Sequence, residues 1–299
     1  MTGPVHTPIL TGEILELLAL APGDSCIDAT INGGGHTAAI LAATEPHGRV
    51  LGIDRDPEIL QHARQRFQSE IAAGRLVLVH GSFANLGEIA TSNGFTGVAA
   101  VVFDLGASSF HFDFAQRGFT FRRDEPLDMR FDPTDASLRT AADLVNSLEV
   151  RQLASLIARY GEERYAWRIA RSIERRRPLR TTSELYAAIA AALPGPVRWR
   201  SARSAARVFQ ALRIAVNGEL HALEAALPQA VSLLRPGGKL VLVCFHSLED
   251  RIVKNFLRAQ EQHGAVRILT KKPLRPSDEE ISANPRAASA KLRACERRG

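Results

Sequence analysis

Apolar residues in the first third of the chain gather into short, unbroken runs rather than alternating with polar ones. Cys26-Ile-Asp-Ala-Thr30, Val50-Leu-Gly-Ile-Asp54, Leu76-Val-Leu-Val-His80 and Val98-Ala-Ala-Val-Val-Phe-Asp104 are the clearest. An unbroken apolar run suits a strand covered on both faces, as in parallel sheets. Between the runs, His36–Ala43 and Pro57–Phe67 read as helices, the second with Pro57 in its first turn. The alternation predicts an α/β domain with a doubly wound sheet, whose ligand sits beyond the carboxyl ends of the strands.

Near Phe110 this pattern stops. An irregular stretch rich in Phe, Asp and Arg runs to Pro133, and helical segments follow near Ala141–Tyr160, Arg164–Arg176, Thr182–Leu193 and Ala205–Leu227. Leu233-Leu-Arg-Pro-Gly-Gly238 then leads into the apolar run Lys239–Phe245, which resumes the sheet, and Lys291–Glu296 reads as a final strand. The simplest organisation is a sheet domain in two segments, residues 1–109 and 214–299, around an inserted helical domain at 110–213.

Composition narrows the class. With 45% hydrophobic and 23% charged residues the chain can bury a core without staples. Cys26, Cys244 and Cys295 show no CxxC spacing, which predicts a reducing compartment and neither disulfide framework nor zinc site. His6, His36, His47 and His246 lack ligand spacing, so no metal is expected. No stretch reaches the roughly 20 apolar residues of a membrane span, and a cytoplasmic protein without a membrane partner is expected. The net charge of +6 is unevenly spread. Residues 137–213 hold fifteen Arg, no Lys and six acids, so that segment is strongly basic and the remainder slightly acidic. Such a segment predicts a surface for phosphate.

Candidate ligand residues fall at the predicted strand ends. Asp28 precedes Asn32-Gly33-Gly34-Gly35-His36, where glycines permit close backbone approach. Asp54 ends the second strand, placed for the two hydroxyls of a ribose; Phe83 follows the third, where an aromatic can lie on adenine; Asp104 ends the fourth. The loop also fits the dinucleotide fingerprint G-x-G-x-x-G/A with an acid about 20 residues on, so a dehydrogenase stays open by this loop alone. Two features favour methyl transfer. Asp28 is placed for an ammonium group that nicotinamide dinucleotides lack, and Arg235-Pro-Gly-Gly-Lys-Leu240 is a turn common before a late strand of Rossmann-like methyltransferases.

Longer motifs are more specific. Asp28–His36, Gly52-Ile-Asp-Arg-Asp56, Asp104-Leu-Gly-Ala-Ser-Ser109, Arg117-Gly-Phe-Thr-Phe-Arg122, Pro126-Leu-Asp-Met-Arg130, Gly161-Glu-Glu-Arg164, Phe209–Asn217 and Phe245–Lys254 occur in order. His6-Thr-Pro-Ile-Leu10 precedes them, and Asn284-Pro-Arg286 and Ser289–Arg293 follow. In this ordered set the chain resembles the RsmH (MraW) family, bacterial enzymes that methylate N4 of a cytidine in the decoding region of 16S ribosomal RNA. The resemblance implies a Rossmann-like S-adenosylmethionine-dependent methyltransferase sheet, S-adenosyl-L-methionine as cofactor, and the small ribosomal subunit as partner. It implies cofactor contacts at Gly34, Gly35, His36, Asp54, Phe83, Asp104 and His111, to which the loop reading adds Asp28 and Gly33. His111 stands where the family has Gln, and Phe110 where it has Pro. Phe114, Gln116, Glu125, Arg203-Ser204 and Ala288 depart as well. Most of these fall near the expected substrate side, so a divergent enzyme with another RNA target is an alternative, as is an assembly factor that binds RNA without catalysis.

The exocyclic amine of cytosine is a poor nucleophile, because its lone pair is delocalised into the ring. Catalysis must therefore hold it in line with the methyl donor and accept hydrogen bonds from it. Asp104, with the hydroxyls of Ser108 or Ser109, is the candidate for this task, and His246 of Phe245-His-Ser-Leu-Glu249 a candidate contact to base or backbone. The bland alternatives are that Asp104 caps a turn and that His246 is structural. Tyr165, Trp167 and Trp199 lie among the arginines of the insert and can either stack on bases or pack inside.

Overall fold

The apolar runs become strands in the computed structural model, which describes residues 8–299. His6 and Thr7 of the first motif lie outside the described residues. The chain divides into two units, one of residues up to Ser108 together with Leu220–Gly299, the other Ser109–Glu219.

In the first unit, β1 (Ser25–Asp28), β2 (Arg49–Asp54), β3 (Leu76–His80), β4 (Val98–Asp104), β5 (Leu234–Cys244), β6 (Val266–Ile268) and β7 (Lys291–Arg297) form one sheet in the order β3-β2-β1-β4-β5-β7-β6. The first five strands run parallel, and β7 lies antiparallel between β5 and β6. Both faces are covered, as unbroken apolar strands require. On one side α5 (Leu86–Ser92), α12 (Glu219–Leu233) and α13 (Ser247–Gln262) pack Leu86, Leu223, Leu227 and Val253 against Ile27, Leu51, Val101, Phe103 and Leu242. The alternate residues Cys26, Val50, Val102 and Val241 point the other way and are equally buried. There α1 (Thr11–Leu18) meets β5, α2 (Gly35–Ala43) meets β1 and β2, and α3 (Pro57–Arg66) meets β2 and β3. A short α4 (Gln68–Ala72) follows α3, and α14 (Asp278–Ala283) precedes β7.

β5 begins five residues earlier than expected, because Leu234 already pairs with Val98. Two steps along β4 then face five along β5, and the surplus bulges out at Pro236–Gly238. Gly238 is obligatory there: an added Cβ would lie 2.8 Å from the Arg235 carbonyl and 2.9 Å from that of Val98.

The second unit holds α6 (Ser109–Asp113), α7 (Ala141–Ser147), α8 (Val150–Gly161), α9 (Ala166–Glu174), α10 (Thr182–Ala192) and α11 (Ser201–Asn217). The helix expected over 141–160 is two, because Glu149 and Gln152 form a capping box that starts α8 afresh. The helix expected over 205–227 is likewise two, broken at Gly218 with φ of 62°. Gly161 lets α8 meet α11 closely, since a Cβ would stand 2.6 Å from the Arg207 carbonyl.

The irregular stretch before α7 is held by its own motif residues. Arg117 donates to the carbonyls of Arg130 and Phe131, Asn217 accepts from Phe131 N at 2.8 Å and donates to the Met129 carbonyl at 2.7 Å. Glu125, one of the departures from the family pattern, is buried. It accepts from Gly118 N at 2.9 Å and pairs with Arg123, also at 2.9 Å. Its carboxylate is thus spent inside the unit rather than offered to substrate.

Candidate active site

Register creates the site. Asp28 pairs with Gly52 and Val102, so β2 and β4 each run two residues past the end of β1, to Asp54 and Asp104. The loop after β1 fills that notch, with Ala29 N bonded to the Val102 carbonyl and Ile31 N to the Ile53 carbonyl. Gly52 makes room for it: a Cβ there would lie 2.1 Å from Ile31 Cδ1.

Asn32 ties the strand ends together. Its backbone N–H donates to Asp54 Oδ2 at 3.0 Å, while Nδ2 donates to the Asp104 carbonyl at 3.0 Å and Oδ2 at 3.3 Å. The residue sits at φ of 48°, a left-handed conformation that Asn tolerates better than most. Thr30 Oγ1 accepts from Asp104 N at 2.6 Å. Gly34, at φ of 72°, closes the turn onto the Ile31 carbonyl at 2.7 Å. Gly35 opens α2, and Pro8 packs where its Cβ would be, 2.6 Å away. Arg66 holds the Gly33 carbonyl from outside.

Burial sets the electrostatics of these carboxyls. Asp54 Oδ1 accepts from Asp56 N at 2.9 Å, and desolvation pushes the Asp54 carboxyl up to about 7. Burial likewise raises Asp28 to about 7, and the charges of Asp104 and Asp54 act in the same direction. Burial thus favours the neutral forms of Asp28 and Asp54 relative to free carboxyls, and a ligand that donates hydrogen bonds to Asp54 favours its ionised form. Asp54 at the end of β2 is placed to accept the two hydroxyls of a ribose, as in a nucleoside cofactor.

Asp28, Gly33, Gly34, Gly35, His36, Asp54 and Asp104 are therefore gathered in one place, with His36 Nε2 3.9 Å from Asp104 Oδ2. Phe83 lies in the turn after β3, its ring edge-on to Phe103 at 5.6 Å. Two of the candidate residues have partners within the fold. Asp28 is fully buried, with Thr37 Oγ1 donating to it at 2.6 Å and Thr30 N at 3.2 Å, bonds that brace α2 and the loop. His246 is the N-cap of α13: its Nδ1 accepts from Glu249 N at 3.3 Å and its Nε2 lies 3.2 Å from Glu249 Oε1. Both ring nitrogens lie against Glu249 in the helix's own first turn.

Ser108 is buried at the end of the first unit, whereas Ser109 and His111 open α6 in the helical unit. There His111 is buried against the rings of Phe119 and Phe131, at 4.9 and 4.8 Å, which stack on each other at 5.5 Å. Sequence reasoning gave no role to Thr30, Thr37 or the Asn32 side chain. The signal available was a Thr and an Asn just beyond a strand's terminal Asp, residues whose side chains rewire turns.

Many arginines of the insert also serve the fold. Arg168 donates to the Ala192 carbonyl, Arg176 to Ser172, Arg177 to the carbonyls of Val145 and Leu148, and Arg213 pairs with Glu219. Arg151, Arg159, Arg164, Arg171, Arg175, Arg198, Arg200 and Arg203 remain exposed, as do Trp167 and Trp199.

A parallel sheet extended by an antiparallel strand between its last two members, with carboxylates over the ends of β1, β2 and β4, defines a Rossmann-like methyltransferase. The six-stranded parallel sheet of the dinucleotide enzymes has no counterpart of β7. The profile of the MraW methylase family matches residues 4–298, and the chain belongs to that family. A Thermomicrobium roseum protein named Ribosomal RNA small subunit methyltransferase H is 49% identical over 310 residues, covering 98% of this chain and 93% of its own. Proteins of the same name from Heliobacterium modesticaldum and Syntrophotalea carbinolica are 46% and 45% identical, each match covering 98% of both chains.

Proposed function

We propose that this chain methylates the N4 amine of a cytidine in the decoding region of 16S ribosomal RNA, with S-adenosylmethionine as donor. Family membership over nearly the whole chain carries the reading, and the relatives' names specify the small ribosomal subunit. The donor supplies an electrophilic methyl group on a sulfonium. The protein's own residues do the rest. Asp54, aligned by Asn32 and Asp56, accepts the ribose hydroxyls. Phe83 offers a face to the adenine. Asp104, aligned by Asn32 and Thr30, accepts a hydrogen bond from the target amine, orients its lone pair, and favours the positive charge that grows on nitrogen during attack. The helical unit grips RNA through its exposed arginines. Among the described residues no helix is long and apolar enough to cross a membrane.

The test is mass spectrometry of 16S ribosomal RNA nucleosides from cells with and without the gene. Deletion should remove one N4-methylated cytidine, restored by the wild-type gene and not by Asp104→Ala. An unchanged nucleoside profile would reject this target.

A further inference from the structure

The helical unit carries a cleft that the methyl-transfer chemistry leaves unused. It measures about 510 Å³, within the range of small-ligand sites, and Arg151, Trp167, Arg171, Glu174 and Arg177 line it. Trp167, Arg171 and Glu174 follow one another at helical spacing along α9, while Arg151 stands in the first turn of α8. The indole is conspicuous because α9 otherwise buries its apolar residues. Ile169, Ala170 and Ile173 are fully covered, yet Trp167 is 50% exposed.

Arg177 is fixed beforehand. Its Nε donates to the Val145 carbonyl at 2.7 Å and its second nitrogen to that of Leu148, which stations a cation against the cleft at no further ordering cost. Of the two acids, Glu149 is engaged by the capping box of α8, so its charge is answered by the helix end. An exposed indole that shares a cleft with one pinned and two exposed guanidinium groups matches an unstacked base with its flanking phosphates.

We propose that this cleft is a subsite for one unstacked nucleotide of the RNA, separate from the nucleotide that is methylated. The base stacks on Trp167, and the flanking phosphates lie against Arg151 and Arg171. The assignment rests on the reading that the chain acts on RNA.

The chain has two tryptophans, so Trp199→Phe leaves Trp167 as the sole indole reporter. An unstructured eight-nucleotide RNA titrated into that variant at low salt should quench its fluorescence saturably. With the same RNA end-labelled, Trp167→Leu should bind about tenfold more weakly by anisotropy, while Trp167→Phe stays close to the parent. Arg171→Gln should flatten the dependence of log affinity on log salt by about 0.7, one phosphate contact. Undiminished affinity of Trp167→Leu for S-adenosylhomocysteine and an unchanged melting profile exclude misfolding. RNA binding without quenching, together with parental affinity in Trp167→Leu, would overturn the subsite and leave the RNA reading standing. Absence of RNA binding in every form at low salt would overturn both.

Discussion

Replacing Asn32 with alanine should cost both stability and cofactor affinity, because its side chain aligns the Asp104 carboxylate and fixes the loop whose backbone N–H holds Asp54. The Nδ2 bonds reach a charged oxygen and a carbonyl of Asp104. Bonds of those kinds contribute about 1.5–3 and about 1 kcal/mol respectively. Alanine at φ of 48° adds about 1 kcal/mol of left-handed strain. The sum is about 4 kcal/mol, which at an unfolding entropy of about 0.6 kcal/mol/K for a chain of this size lowers Tm by about 6 °C. Asn32→Gly loses the same bonds without the strain and should recover about 1 kcal/mol of that loss. Calorimetric titration with S-adenosylhomocysteine at pH 8 should show Kd raised at least about tenfold in both variants, the equivalent of 1.4 kcal/mol. If Asn32→Ala melted with the parent and bound the nucleoside within twofold, the loop would not be what sets Asp54 and Asp104, and the site description would fail.

Three further outcomes follow from the geometry. Burial raises Asp28 to about 7, so its contribution to folding is present below its unfolded pKa near 4 and lost as pH rises through 7. Asp28→Asn should therefore flatten the fall in Tm between those limits, read by melting across pH 4–8. Asp54, also raised to about 7, must ionise to accept hydroxyl donors at full strength, so affinity for S-adenosylhomocysteine should rise through pH 7 in the parent, and a flat profile would remove Asp54 from the ribose. His246→Asn keeps a good helix cap and should retain both melting temperature and turnover, while His246→Ala should lose about 1 kcal/mol with turnover near normal. Abolished methyl transfer in a stably folded Asn variant would return His246 to the chemistry.

How far the sequence disclosed this arrangement depended on the range of the interactions involved. β1 to β4 were legible because a strand covered on both faces writes its burial as an unbroken apolar run, and Asp54 and Asp104 were legible as the polar residues that end such runs. β6 was not, since Val266–Ile268 is too short to carry a period and enters the sheet only by pairing with β7. The break at Leu148–Glu149 and the cap at His246 both followed the spacing of a capping box, with the acid or amide three residues on, and that local signal was present. The Asn32 bonds span 22 and 72 residues, and only strand register brings their partners together. The arginines of the insert divide the same way. Charge counting located the basic segment, but only packing separates Arg177, bound to two carbonyls, from Arg171, which faces the open cleft.

The place of β7 in the sheet governs the order in which the molecule can be completed. β4 and β5 are adjacent in the sheet yet separated by the whole helical unit, and β5 receives its second neighbour only from Lys291–Arg297. On the ribosome the helical unit is therefore delivered entire while its host sheet still lacks three strands. Until the last of them arrives, β5 remains an open edge of unpaired N–H and C=O groups flanked by apolar side chains, a template for pairing with other chains. A nonsense or frameshift lesion just before Lys291 would spare every residue of the cofactor site and still yield a product prone to aggregation.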